Sequence, residues 1–521
     1  MPKERKRREI PRREFISRSA AGLTALGLSP WLLNTGCRGR GTGEGLLVPE
    51  EVLKKALGYL LAKGADFGDI FVERATSDSI RSDDRKINTA TAIEKGVGVR
   101  AVKEGKTFYA YTASFEPEEI YKTARFVADA AAESSAKAAG LIADLTRQTS
   151  GLSFPIVPDP HSIEVEKKIE LVQQLTDRAW SADPRVNQVS QFYREIIREV
   201  TLAASSGKTI SQTLGLTEIY CFTYMKDKEG NLQNGFDGRA AYAGRDFFQG
   251  GDSFESIVDQ SVERAKRLLE AVDSPRGVFP VVLAAGSNGV LFHESCGHGM
   301  EADLVFKGSN FKDQIGKQTA AKGVTLIDDG TIPQMPGSFA FDDEGTPAQR
   351  TVLIQDGIQQ NYLSDLVWAA KLGLKSTGSG RRQSFRFPPI PRMRNTFIDN
   401  GTVSPEDIIA ETKRGVYVTN VARGGQVDVV TGNFMMGVEG YLIENGKVTR
   451  PVKGATLSGM GIQALKTIDM VGNDLLIFAD AGRCGKMQYV PTGSGMPTIR
   501  VRGILVGGKG EAWEDLEGGR S

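Results

Sequence analysis

Two dipeptides, Asp356-Gly357 and Asn445-Gly446, each stand between short apolar runs. Val352-Leu353-Ile354 precedes the first and Tyr362-Leu363 follows it; Tyr441-Leu442-Ile443 precedes the second and Val448 to Val452 follows it. A type I′ turn needs positive φ at both central residues, which Asp-Gly and Asn-Gly tolerate, so each site reads as an antiparallel hairpin. The chain holds 60 glycines in 521 residues, above the roughly 7% usual in soluble proteins. That excess predicts many turns and much antiparallel sheet.

The N-terminal half mixes helix and strand signals. Val52, Leu53, Ala56, Leu57, Leu60 and Leu61 form one stripe of a helix over 49–62. Ile70 to Arg74 reads as a strand, and 97–102 with 107–111 as a hairpin around Glu104-Gly105. Helices are expected at 117–133, at 163–180 (with Val165, Ile169, Val172, Leu175 and Ala179 at helical spacing) and at 254–270, with strands between 187 and 250. Val278 to Leu283 reads as a buried strand beginning at or after Pro280. Ser404-Pro405-Glu406-Asp407 marks a short helix by its cap, its proline and its acid. The expected fold class is α+β. An N-terminal α/β domain of sheet and helices (48–276) precedes a C-terminal domain rich in antiparallel sheet (277–521). Forty per cent hydrophobic residues and a net charge of +1 suit a large globular enzyme and give no reason to invoke nucleic acid.

Histidine is scarce, yet two of the three lie in Phe292-His293-Glu294-Ser295-Cys296-Gly297-His298-Gly299. Two imidazoles with an adjacent carboxylate suit a hydrolytic metal site: neutral nitrogen ligands and a base for water. The spacing is H-E-x-x-x-H. In a regular α-helix five steps leave the two rings about 140° apart, whereas a local i→i+5 widening brings them together. Gly297 and Gly299 are expected to make such a distorted turn cheap. A catalytic zinc takes a third protein ligand. Cys484, in a Gly-flanked turn beside Arg483 and Lys486, is expected to have a lowered pKa; Cys296 is its rival, with core packing as its alternative role.

The segment from His293 to Asp303 closely resembles the signature of the TldD/PmbA metallopeptidases. Arg381 to Arg386, Pro391 to Thr396, Arg450 to Leu457 and the Cys484 segment are similar to further blocks of that family. Gly96 to Arg100 before Phe108 to Tyr111 is a weaker match. The resemblance spans about 48–510 and is to the metal-binding, TldD-like branch. It implies Zn²⁺ held by His293, His298 and Cys484, with Glu294 as catalytic base. It also implies a peptidase for short or unfolded peptides, working as a homodimer or as a heterodimer with a metal-free relative. The alternatives are a non-catalytic zinc- or peptide-binding accessory protein, with Cys296 as a fourth ligand, and a non-peptide amide hydrolase. Arg381, Arg382 and Tyr362 are the available oxyanion partners, although surface charge or core packing accounts better for each singly.

Residues 1–37 have the layout of a signal peptide: a basic start, Arg12-Arg13 ahead of Phe15, and an apolar stretch too short to span a membrane. The arginine pair points to twin-arginine export, and so to the periplasm or cell envelope. Leu33 to Cys37 resembles a lipoprotein box, with Cys37 as the possible lipid anchor. Residues 38–47 read as a flexible tether. With Cys37 and Cys484 set aside, Cys221 and Cys296 imply no disulfide framework, and Cys221 reads as buried structure.

Overall fold

The computed structural model describes residues 45–133, 145–152, 154, 159–421, 425–479 and 481–512. The expected export segment, Cys37 and the tether as far as residue 44 lie outside the described residues. At the end of the expected tether, Leu46 and Leu47 pack against an apolar cluster, and the Leu47 N–H donates to Thr201 Oγ1 at 3.1 Å. No helix among the described residues is long and apolar enough to cross a membrane.

The architecture is α+β. Helix α1 (Glu50–Ala62) buries Val52, Leu53, Ala56, Leu57, Leu60 and Leu61, the stripe its spacing predicts. It lies on an antiparallel sheet of β1 (Phe67–Asp83), β2 (Lys86–Lys103), β3 (Lys106–Thr112), β4 (Val186–Ala204), β5 (Lys208–Lys226) and β6 (Leu232–Ala241). Their order is β3-β2-β1-β4-β5-β6, and Thr146–Arg147 adds a short parallel strand to β5. Positive φ at Glu104 and Gly105 (49° and 70°) makes the tight turn between β2 and β3. β1 runs for 17 residues, far beyond the apolar run at Ile70. Past Glu73 its faces are only partly covered, so hydrophobic alternation fades while the ladders to β2 and β4 continue. Helices α2 (Pro117–Ala132), α3 (Val165–Ala182) and α4 (Phe254–Glu270) complete this half. Cys221 is fully buried in the cluster joining α3 and α4 to the sheet.

Five strands of the C-terminal half close into a ring: β7 (Gly277–Leu283), β8 (Arg414–Val421), β9 (Asn433–Glu444), β10 (Lys447–Met460) and β11 (Ile499–Gly507). Each pairs with the next, and β11 returns to β7. Closure removes free edges. A second sheet places Gly493–Met496 between Asn395–Ile398 and Leu476–Phe478. Positive φ at Asp356, Gly357, Asn445 and Gly446 fits the expected turns. The strand after Asp356-Gly357 is Ile358–Gln359, however, and Tyr362-Leu363 leaves that ladder. Leu363 instead exchanges backbone bonds with Met300 and Ala302, which ties the hairpin to the histidine segment. Pro280 lies inside β7 rather than at its start. The β11 register shifts between residues 501 and 504, opposite Pro280, and β8 pairs only from Val281 onward; a proline is tolerated at such an interruption.

Buried charge joins the two halves. Arg100 of β2 is fully buried, with Nε 2.6 Å from Asp69 and Nη1 2.6 Å from Glu344. Arg382 lies over the Phe71 ring at 4.1 Å and 3.4 Å from Asp69. Removing one partner strands the others in a low dielectric. Arg100→Met is therefore expected to cost about 3–5 kcal/mol in denaturant unfolding. Arg502→Met, at a largely exposed guanidinium on Asp469, should cost under about 1 kcal/mol.

Candidate metal centre

β7 delivers the chain to Gly286, whose φ of +92° turns it into a single 3₁₀ turn at Ser287–Gly289. A short α segment, Val290–Phe292, leads into a π-helical segment at His293–Gly297. The His298 N–H donates to the His293 carbonyl, an i→i+5 bond. That one widened turn replaces the opposed arrangement of a regular helix. The two rings sit with centroids 5.6 Å apart and planes at 83°. The glycines act differently from expectation. Gly297 has an ordinary φ of −57°, but a Cβ there would lie 2.1 Å from Met393 Sδ, and one at Gly299 would meet the Phe311 ring at 2.8 Å. Close packing, not backbone freedom, requires them.

Cys484 arrives on a hairpin, Arg483–Gly485 against Tyr489–Pro491. Its Sγ is 3.2 Å from His298 Nε2, and the donor atoms of His293, His298 and Cys484 lie within 4.8 Å of one another. All three are buried. A tetrahedral zinc with N and S ligands separates its donors by about 3.3–3.6 Å, so these residues fit a metal with small adjustments. Among the described residues this is the one such group found. Cys296 does not join it. Its thiol is fully buried beside Ser295 Oγ at 3.6 Å, and burial pushes its pKa up to about 12.

Charge coupling prepares the three donors. Burial alone would raise the Cys484 pKa, but His298, His293 and then Arg392 outweigh it and hold the thiol well below its ordinary value. Burial would lower both histidines; the Cys484 thiolate, with Glu301 for His298 and Glu294 for His293, raises them instead. The cations expected to act on Cys484 are spent elsewhere: Arg483 pairs with Glu218 at 2.9 Å, and Lys486 with Glu301 and Asp303, each at 2.9 Å.

Behind His298 lies a buried support that the sequence reading missed. Glu301 Oε2 is 2.9 Å from His298 Nδ1, and Oε1 accepts from the Met393 N–H at 3.2 Å. Although burial raises its pKa, Lys486, His298 and Arg392 bring it down to about 2. Arg392 also donates to the Cys484 carbonyl at 2.7 Å, so one guanidinium steadies both ligand segments. The available signal was the i,i+3 spacing of Glu301 from His298. Arg381 donates to the Met393 and Pro491 carbonyls, Arg382 to the Asp343 carbonyl and Asp69, and Tyr362 to the Phe311 carbonyl.

Glu294 is the partly open member. Its side chain is 30% exposed, with Oε2 3.6 Å from His298 Nε2 and Oε1 4.0 Å from His293 Nε2. His293, Glu294 and Cys484 all line a cleft of about 440 Å³, together with Phe236, Arg264, Val427 and Met436.

Three domain profiles match the chain: domain 1 of the PmbA/TldA metallopeptidases at 68–136, their central domain at 158–269 and their C-terminal domain at 276–508. The chain is 36% identical over 456 residues to a metalloprotease TldD homolog of Haemophilus influenzae, covering 86% of this chain and 94% of that one. It is 32% identical to a metalloprotease of Methanocaldococcus jannaschii, covering 85% and 97%. A zinc metalloprotease TldD homolog of Saccharolobus solfataricus is 32% identical over 235 residues, 44% of this chain and 52% of that one. Among solved structures, a candidate DNA gyrase modulator of Thermotoga maritima superposes with a TM-score of 0.71 at 22% identity, covering 88% of this chain and all of that one. TldE of Thermococcus kodakarensis gives 0.68 at 20%, covering 88% and 99%. These two likenesses speak to the fold.

Glu301→Gln removes the charge that orients His298 and keeps the shape. Supporting carboxylates of this kind are worth about 10–100-fold in metal affinity, and a loss of that size is expected in zinc competition against a chromophoric chelator.

Proposed function

The chain belongs to the PmbA/TldD metalloprotease family, and on that premise we propose that it is a zinc-dependent peptidase for short or unfolded peptides. His293, His298 and Cys484 would hold the zinc and Glu294 would act as the base. The observation that carries this reading is the meeting of three buried donors from two distant segments, beside one partly exposed carboxylate that lines a cleft together with His293 and Cys484. A site built only to hold metal has no use for that carboxylate. Zinc, when bound, supplies Lewis acidity toward a scissile carbonyl and an attacking water.

The remaining work falls to the protein. Glu294 takes the water proton on a carboxylate oxygen and returns it to the leaving amine. Glu301 and Arg392 hold the ligand segments, so that only small adjustments are needed. For the substrate, Gln426–Val427 pairs only with Phe434 and Met435 among the described residues, and Val427 borders the cleft. Such an edge suits an extended peptide, which binds mainly through its backbone.

Twin-arginine export through residues 1–37 and assembly as a homodimer, or with a metal-free relative, belong to the same proposal. Cell fractionation and light scattering test them.

Glu294→Gln is expected to keep one zinc per chain and to lower peptide turnover by about 10²–10⁴-fold. Cys484→Ala should lose both zinc and turnover. Metal analysis beside cleavage of casein peptides checks this: full activity in Glu294→Gln ends the base assignment, and zinc without cleavage in the unmodified protein favours an accessory role.

A further inference from the structure

Three buried polar atoms on residues lining the cleft have no protein partner: His293 Nδ1, Asp237 Oδ2 and Ser494 Oγ. His293 belongs to the metal set. The Asp237 carboxylate is already held through its other oxygen by Arg239 at 3.0 Å and Arg264 at 3.5 Å. Ser494 has nothing. It is 4% exposed, and a hydroxyl buried without a partner is destabilising where an alanine would fit.

The position of Ser494 is tightly set. Its strand, Gly493–Met496, is paired on both sides: Ser494 stands opposite Thr396 in one ladder and Phe478 in the other. Directly opposed residues share a face, and Phe478 and Ser494 both line the cleft, so the Ser494 hydroxyl lies just beneath its wall. Because both edges are taken, this strand cannot accept an added peptide strand; only the side chain is left to make a contact. The flanking glycines are closely packed. A Cβ at Gly493 would lie 2.4 Å from Asn395 Oδ1, and one at Gly495 2.8 Å from Ile477 Cα. On the other side, Gly289 abuts the Gly495 carbonyl, in the turn that opens the histidine segment. The strand also follows directly from the hairpin that carries Cys484. The Ser494 backbone is therefore packed against both ligand segments.

We propose that Ser494 is a substrate-contact residue, whose hydroxyl donates to a backbone carbonyl oxygen of the peptide in the cleft. The inference rests on the peptidase reading and adds to it a neutral donor that none of Arg381, Arg382 and Tyr362 supplies.

The test compares the unmodified protein, Ser494→Ala and Ser494→Thr, each loaded with zinc. Ser494→Ala should retain one zinc per chain and a Tm equal to or above that of the unmodified protein, and lose about tenfold to a hundredfold in kcat/KM on casein peptides. Ser494→Thr, which keeps the hydroxyl, should recover most of that loss. An alanine variant within twofold of the unmodified protein overturns the proposal, as does one that loses zinc or Tm, because the hydroxyl is then structural. Should the unmodified protein bind zinc and cleave nothing, the peptidase reading alone fails. The same pair is then compared for affinity toward fluorescein-labelled casein peptides by anisotropy: a Kd at least tenfold weaker in Ser494→Ala supports the contact, and an equal Kd overturns it.

Discussion

One backbone hydrogen bond, from the His298 N–H to the His293 carbonyl, decides whether this chain has a metal site. In a regular helix the same residues would point to different sides. The widened turn brings both imidazoles together and sets the Glu294 carboxylate beside them, 3.6 Å from His298 Nε2 and 4.0 Å from His293 Nε2. Its surroundings are shaped to keep it: Gly297 admits the Met393 sulfur, and Gly299 admits Phe311. Ser295, inside the turn, satisfies its hydroxyl on the Leu291 carbonyl at 2.6 Å, which uses an acceptor of the preceding turn and accommodates the irregular geometry.

A second constraint is that the three donors arrive from segments almost two hundred positions apart. The closed ring of β7 to β11 brings them together. β7 leads into the histidine segment, and the hairpin holding Cys484 sits just ahead of Gly493–Met496 and β11. Glu301, Lys486 and Arg392 then weld these segments through buried ion pairs and bonds to backbone carbonyls. An isolated carboxylate this deep would be very costly; shared among two cations and an imidazole, it is well compensated. The same device recurs where Arg100 and Arg382 join the two halves across Asp69 and Glu344.

Legibility followed the period of the apolar pattern. α1 and the Asn445-Gly446 hairpin were readable because one face is buried and the turn chemistry is specific. The outer half of β1 was not, since its faces are partly exposed and carry polar residues. Lys168 was equally hidden: it is fully buried against Asp78 of β1 and Glu195 of β4, and nothing in the local sequence of α3 announces partners on those strands. For the site, His293, His298, Glu294 and Cys484 were visible as residue types in an unusual pattern, while Glu301 and Ser494 looked ordinary.

What the amino-acid order determined by itself was therefore local: helix stripes, positive-φ turns and a histidine pair that a widened turn could join. Only the tertiary structure decided which cysteine meets the pair, because Cys296 is near in sequence but packs into the core, whereas Cys484 is remote and is carried in by strand pairing. It also decided which carboxylate supports His298 and which hydroxyl is left without a partner in the cleft. Local sequence encodes backbone preference and burial period, but donor sets and unpaired groups are properties of long-range contacts, which the closed sheet alone creates.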